Sequence, residues 1–220
     1  MNSLSKFLIK HLGLFFIIYT AILLVVQFGG LKNNFSKLFR KNATSLFSTF
    51  GSGGEVQFKK DKNKDNVYDV LAVLSSKQQK QNARKEGLKK GLKQINIKTV
   101  KFPINSWNFA GMLIVFYLVL IVVTPMKWVQ KILPFILGML FVYLFTNFKI
   151  WVSLLLRFSE YHERFQVGLE YGILSKIVNY AYNIISFPFF GLVMVLLIWF
   201  LTCFNKIKLP EDTIELAYDS

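Results

Sequence analysis

The chain has 220 residues with 53% hydrophobic residues, a mean hydropathy of +0.41, and 27 Lys/Arg against 12 Asp/Glu. Only 18% of residues are charged, below the roughly 25% usual in soluble domains, and the apolar residues gather into long runs. That balance excludes an ordinary soluble globule and a disordered chain. It predicts an all-α polytopic membrane protein of about four transmembrane helices, with a small α+β extramembrane domain between helices 1 and 2.

The first run, 12–28, has only Tyr19, Thr20 and Gln27 as polar members. With residues 7–10 ahead of it, it reaches the roughly 20 residues that cross a bilayer core. Its apolar core exceeds the ~7–15 residues of a signal peptide, and no small-x-small cleavage pattern precedes Gly29 or Gly30. Residues 1–30 are therefore expected to be a retained N-terminal anchor. Residues 31–54 are rich in Ser, Asn and Gly and end in Gly51-Ser52-Gly53-Gly54, a flexible hinge. Within them Phe35, Leu38, Phe39, Leu46, Phe47 and Phe50 recur at three- and four-residue steps. This spacing predicts a short amphipathic helix on the membrane surface, with Lys32, Lys37, Arg40 and Lys41 on its polar side.

Residues 55–106 read as a small basic domain. Positions 56–58 suit a strand and 59–66 a polar turn, while Val67, Val70, Leu71 and Leu74 fit either a helical face or a buried strand. A basic helix is expected over 77–94, followed by alternation at Ile95, Ile97 and Thr99 that suits a half-buried strand. So few apolar anchors build little core, and the domain is expected to lean on the membrane or on a partner. Lys77, Lys80, Arg84, Lys85, Lys89, Lys90 and Lys93 make the 77–94 stretch a candidate contact for anionic lipid, at about 1 kcal/mol per residue near the surface. The plainer reading is a solvated helical face. Nucleic acid is not an expected partner, because no recognition motif accompanies the charge.

A transmembrane hairpin is expected over 107–148. Its first arm stops at Pro125, and Trp107 and Trp128 lie near the arm's ends, where amphipathic rings prefer the headgroup level. Its second arm, 131–148, carries Pro134 in its first turn, where a missing N–H costs least. Residues 149–183 then read as an interfacial charged helical segment, 184–204 as a fourth span opening through Phe187-Pro188, and 205–220 as an acidic-ended tail.

Charges beside the spans set the sidedness. Lys6, Lys10, Lys127, Lys131, Lys206 and Lys208 flank one side; Lys149, Arg157, Arg164 and Lys176 flank the other, offset by Glu160, Glu163 and Glu170. The 29–106 loop is long enough to translocate largely regardless of its charge, although Lys32, Lys37, Arg40, Lys98 and Lys101 near the membrane pull the other way. The expectation is a multi-pass protein with both termini cytoplasmic and the loop outside.

Candidate chemistry is sparse. Cys203 is the single cysteine, so it makes no internal disulfide, and a thiol in an apolar run is most simply a buried one. His11 lies at the entrance of the first span. The place offering both His and carboxylates is the polar cluster Arg157, Glu160, His162, Glu163, Arg164 and Glu170. On a helix, Arg157–Glu160 and Glu160–Arg164 are i,i+3 and i,i+4 pairs, so one face carries an ion-pair ladder. The cluster lacks H-E-x-x-H and every other standard ligand spacing, so no metal, cofactor or catalytic residue is assigned. Its ordinary reading is the charged turn of an interfacial helix. Acids and bases are essentially missing from the spans, Lys131 at the edge of one apart, which argues against an ion-coupled transporter.

The block 120–148, with Val123-Thr124-Pro125, then Trp128, then Lys131 opening another apolar run, resembles the accessory membrane proteins that accompany exosortases. Exosortases are multi-span enzymes that process C-terminal sorting signals in bacterial envelopes. The order of parts is also similar: one anchor, a modest extracytoplasmic domain, then further spans. The resemblance as a whole extends over about a third of the chain, of which the block 120–148 is 29 of the 220 residues. Exosortases are Cys/Arg/His transpeptidases, and Cys203 does not match such a site, so the catalytic role does not carry over. The resemblance implies a non-catalytic accessory subunit of the bacterial inner membrane, aiding assembly or substrate presentation for a protein-sorting or export system. Its partners would be membrane lipids and a larger integral membrane protein. Two alternatives stay open: a membrane enzyme or lipid-modifying protein using the 157–170 segment, and a membrane regulator whose basic loop faces the cytosol.

Overall fold

The computed structural model of the chain describes residues 3–51, 53–62, 67–89, 99–161 and 173–203. In chain order it contains α1 (Ser3–Phe28), α2 (Leu31–Phe47), β1 (Thr49–Phe50), β2 (Gly54–Lys60), β3 (Val70–Ser76), α3 (Lys77–Lys89) and β4 (Val100–Ile104). A π-turn (Trp107–Gly111) leads into α4 (Met112–Val123), followed by α5 (Trp128–Glu160), α6 (Ile173–Ser186) and α7 (Pro188–Cys203). Contacts divide these elements between two units. One holds α1, α4, the first half of α5 and α7; the other holds α2, the sheet, α3, the second half of α5 and α6.

Ile9–Phe28 and Trp128–Glu160 are each long and apolar enough to cross a membrane. Ile173–Ser186 and Phe189–Cys203 qualify as a third span only when taken together as one broken helix, and the apolar helix Trp107–Val123 is shorter. The protein is thus a helical membrane protein, with two or three candidate spans and one small antiparallel sheet among the described residues. The helix expected over 184–204 is interrupted at Phe187, so 184–186 close α6 and α7 begins at Pro188. Proline supplies no N–H and pushes the residue before it out of helical geometry, which is enough to end α6 there.

α5 runs 33 residues without a break, about 50 Å at 1.5 Å per residue, against a bilayer core of ~30 Å. Lys149, which marks the expected start of a separate interfacial segment, is instead an interior residue of this helix. It is buried, its Nζ donates to the Phe109 carbonyl at 3.1 Å, and it lies 4.3 Å from the centre of the Phe109 ring. The π-turn supplies that carbonyl, and the ring face gives the cation a second favourable contact.

In the first unit, α1 lies against α4: Phe15 and Tyr19 stack at 5.6 Å, and Phe116 meets them edge-on at 5.3 and 5.7 Å. Leu113, Tyr117 and Ile121 line one face of α4 at helical spacing and pack with Val142 and Phe145 of α5 and Val195 and Ile198 of α7. Outside this core, Phe16, Ile17, Val25, Val129, Ile132 and Leu201 are all exposed. Water would penalise such a surface, whereas lipid accepts it. Gly30 follows α1 at a φ of 69°, the left-handed conformation that ends helices and that glycine adopts without strain.

In the second unit the four strands form an antiparallel meander in the order β1-β2-β3-β4. The register pairs Val56 with Leu74, Phe58 with Ala72, and Val70 with Ile104. Of the 67–74 stretch, which suits a helical face as well as a strand, Val70, Leu71 and Leu74 fold into the inner strand β3, buried on both faces from Ala72 to Ser76, while Val67 lies ahead of it and is exposed. On one face Gly54, Phe50 and Phe102 meet Phe158 and Arg157 of α5. On the other, Lys80 of α3 pairs with Glu55. A strand covered on both sides reads as a continuous apolar run, which is why its period is ambiguous in sequence. β4 ends the sheet and carries Lys101 and Pro103, two residues that discourage further pairing at an edge. The expected strand at 95–99 falls almost wholly outside the described residues.

Asp69, just before β3, closes the chain's return to the helices. Its Oδ1 accepts the Ser106 backbone N–H at 2.7 Å, and its Oδ2 accepts the Ser106 hydroxyl. Asn105 adds a second cap by accepting the Asn108 N–H at 2.9 Å. Asp69→Ala should cost about 1 kcal/mol, the usual loss of a helix cap. Amide exchange at residues 106–110 should rise, with little change in the β2–β3 pairing; an unchanged rate would assign the capping to Asn105 alone.

Candidate functional site

The structure separates the described sequence-derived site residues into two places and outlines a third. At the last turn of α5, Arg157 Nη1 and Glu160 Oε2 form the expected i,i+3 ion pair at 2.8 Å. The guanidinium also lies 5.9 Å from the centre of the Phe102 ring of β4. Beside this pair, Ser159, Glu160, Lys176 and Asn179 line a small cleft of about 160 Å³ between α5 and α6. His162, Glu163, Arg164 and Glu170 lie outside the described residues. Among the described residues no group of three or more His, Cys, Asp or Glu side chains converges as metal ligands would.

On α3, Lys77, Lys80, Arg84, Lys85 and Lys89 fall inside the helix, while Lys90 and Lys93 lie outside the described residues. They are not equivalent. Lys80 is half-buried and bound to Glu55 on β2, so one of the expected lipid contacts fastens α3 to the sheet. Lys77, Arg84, Lys85 and Lys89 are exposed, with Leu88 exposed among them. An apolar side chain within a basic face is the pattern that favours a lipid headgroup region over plain water.

α6 adds a second surface of this kind. Ile173, Leu174, Ile177, Tyr180 and Ile184 are all exposed on one arc, whereas Ser175, Lys176, Asn179 and Asn183 occupy the other. The segregation is complete around the helix, as in helices that lie in a membrane interface.

A third place was not singled out in sequence. α2 contributes Ser36, Lys37 and Arg40, and the chain around the β2–β3 connection contributes Lys60, Lys62 and Asp69, to a cleft of about 610 Å³. Arg40 Nη1 donates to the Ser36 hydroxyl at 3.0 Å, and Ser36 is itself buried. Lys37 and Arg40 were legible as the polar side of α2, and 59–66 as a polar turn. Their convergence depends on how α2 lies beside the ends of β2 and β3, which no local pattern announces.

The polar residues of the first unit serve the helices themselves. Lys131 Nζ donates to the Val122 carbonyl at the end of α4, 2.6 Å away, and sits 4.8 Å from the centre of the Trp128 ring. Thr124 Oγ1 donates to Leu120 O and accepts Trp199 Nε1–H of α7 at 2.8 Å. Tyr117 Oη donates to the Pro134 carbonyl at 2.6 Å and lies 3.4 Å from Thr202 Oγ1. Thr124, Trp128 and Lys131, which carry the resemblance noted above, therefore form a clamp on a helical hairpin. Cys203 is buried in the same core. No family model, curated protein or solved structure matches the chain.

Proposed function

We propose that the chain is a non-catalytic accessory subunit of a bacterial inner membrane, crossing it four times with both termini in the cytoplasm. It would assist assembly or substrate presentation in an envelope protein-sorting or export system, docked on a larger integral membrane protein like the exosortase-associated proteins it resembles. One observation carries this reading: the polar groups of the apolar unit are bonded to helix ends and to one another, from Lys131 on Val122 to Trp199 on Thr124. Intramembrane polar groups that line a transport path face a cavity or one another's ligands; these hold a scaffold. Amphipathic α6 and the exposed basic side chains of α3 supply surfaces for lipid headgroups.

A second reading, a lipid-modifying enzyme using residues 157–170, draws on the small cleft beside Arg157–Glu160. His162→Ala, Glu163→Gln and Glu170→Gln would abolish such an activity while leaving abundance unchanged. An assembly subunit would lose its partner or tolerate the changes.

Sidedness tests the leading reading. In a Cys203→Ser background, Asn82→Cys places a thiol on the exposed surface of α3. An impermeant maleimide should label it in cells whose outer barrier has been opened but whose inner membrane is intact. Protection until lysis would put the basic module in the cytosol and make the regulator reading the better one.

A further inference from the structure

We infer that the cleft between α2 and the adjoining ends of β2 and β3 is a binding site for a phosphate group. Four cations, Lys37, Arg40, Lys60 and Lys62, line it against two carboxylates, Asp61 and Asp69. Asp69 already accepts from Ser106 with both oxygens, so its charge is turned toward the Ser106 helix cap. The Arg40 guanidinium is held by Ser36 at 3.0 Å, which fixes a planar multi-donor group before any ligand arrives. Lys37, Lys60 and Lys62 are exposed and add mobile ammonium groups from both walls. Fixed arginine plus flanking lysines is the donor set that matches a phosphate's several acceptor oxygens. A carboxylate would use fewer of them. Tyr68 lines the same space and adds a hydroxyl. At about 610 Å³ the cleft admits the group together with its carrier.

Two sources present this chemistry: a phospholipid headgroup and a phosphate in solution. α2 begins three residues after the end of α1 in the chain, which favours the first. Leu31, Leu38 and Leu46 are exposed on the side of α2 away from Lys37 and Arg40, which favours the second if that stripe meets the bilayer. The experiment separates them.

The full chain in dodecyl maltoside, a detergent without phosphate, is titrated calorimetrically with pyrophosphate. Binding is expected, with Lys37→Gln/Arg40→Gln weakening it about tenfold or more. Lys60→Gln/Lys62→Gln, from the opposite wall, should do the same. Lys85→Gln/Lys89→Gln removes an equal charge from exposed α3 and should leave the affinity unchanged. Repeating the titration in nanodiscs containing phosphatidylglycerol identifies the source: loss of pyrophosphate binding assigns the site to the headgroup, and unchanged binding assigns it to soluble phosphate. No binding in the phosphate-free detergent, or an equal loss in the α3 variant, would overturn the proposal. Both cleft variants change exposed or half-exposed side chains, so a thermal-unfolding midpoint equal to the parent's verifies that each is folded.

Discussion

Gly138→Ala should unfold the bundle of α4, α5 and α7. A Cβ at residue 138 would stand 1.7 Å from Tyr117 Oη and 2.0 Å from its Cζ, distances at which the ring must leave. Tyr117 is fully buried, and its hydroxyl donates to Pro134 O and lies beside Thr202 Oγ1. Displacing it therefore loses packing and strands a buried hydroxyl together. Overpacking alone costs about 1–3 kcal/mol, and an unsatisfied buried polar group adds about 1–3 more. The detergent-solubilised chain should lose its cooperative thermal transition or show it shifted down by many degrees. Tyr117→Ala is destabilising by itself, yet Gly138→Ala/Tyr117→Ala should be more stable than the sum of the two changes predicts. Additivity in that cycle would show that α4 and α5 do not meet at this contact.

The hairpin illustrates what a sequence makes legible. Pro125 stops α4 because proline cannot continue a helix, and Trp128 opens the apolar helix α5; both are local signals. Lys131 and Lys149 look alike in sequence, each a cation at an edge of an apolar run. In the structure one covers the last carbonyls of α4 and the other is absorbed into α5 through the π-turn carbonyl of Phe109. Those partners lie 9 and 40 residues away in the chain, so only the tertiary fold distinguishes a helix end from a helix interior. The ambiguity at 67–74 has the same origin, since coverage on both faces erased the alternation that identifies a strand. The phosphate-site cleft was still less visible. Its residues are individually ordinary surface lysines and an arginine, and only the tertiary placement of α2 beside the ends of β2 and β3 brings them together.

Phe158→Ala should release the sheet while leaving the rest of α5 helical. Phe158 is wholly buried near the end of α5. Its ring stacks on Phe50 of β1 at 5.3 Å and an interplanar angle of 9°, and a Cβ built on Gly54 would fall 2.9 Å from its Cζ. The glycine is thus the notch into which the ring fits. Phe→Ala at a site with no room to collapse costs about 3–5 kcal/mol, or two orders of magnitude or more in local opening. Amide exchange in β2 and β3 should accelerate by that factor, with α4 and the first half of α5 unchanged. Phe158→Leu keeps most of the volume and should lose much less. Gly54→Ala offers a contrast with the bundle: its Cβ also meets the Phe50 carbonyl oxygen at 2.6 Å, and backbone cannot swing aside as a ring can. Combining it with Phe158→Ala should therefore give no rescue, unlike the Gly138 and Tyr117 pair. Rescue would mean that the Phe50 carbonyl at the strand end yields, and that the clash with the Phe158 ring is the main cost of the added Cβ.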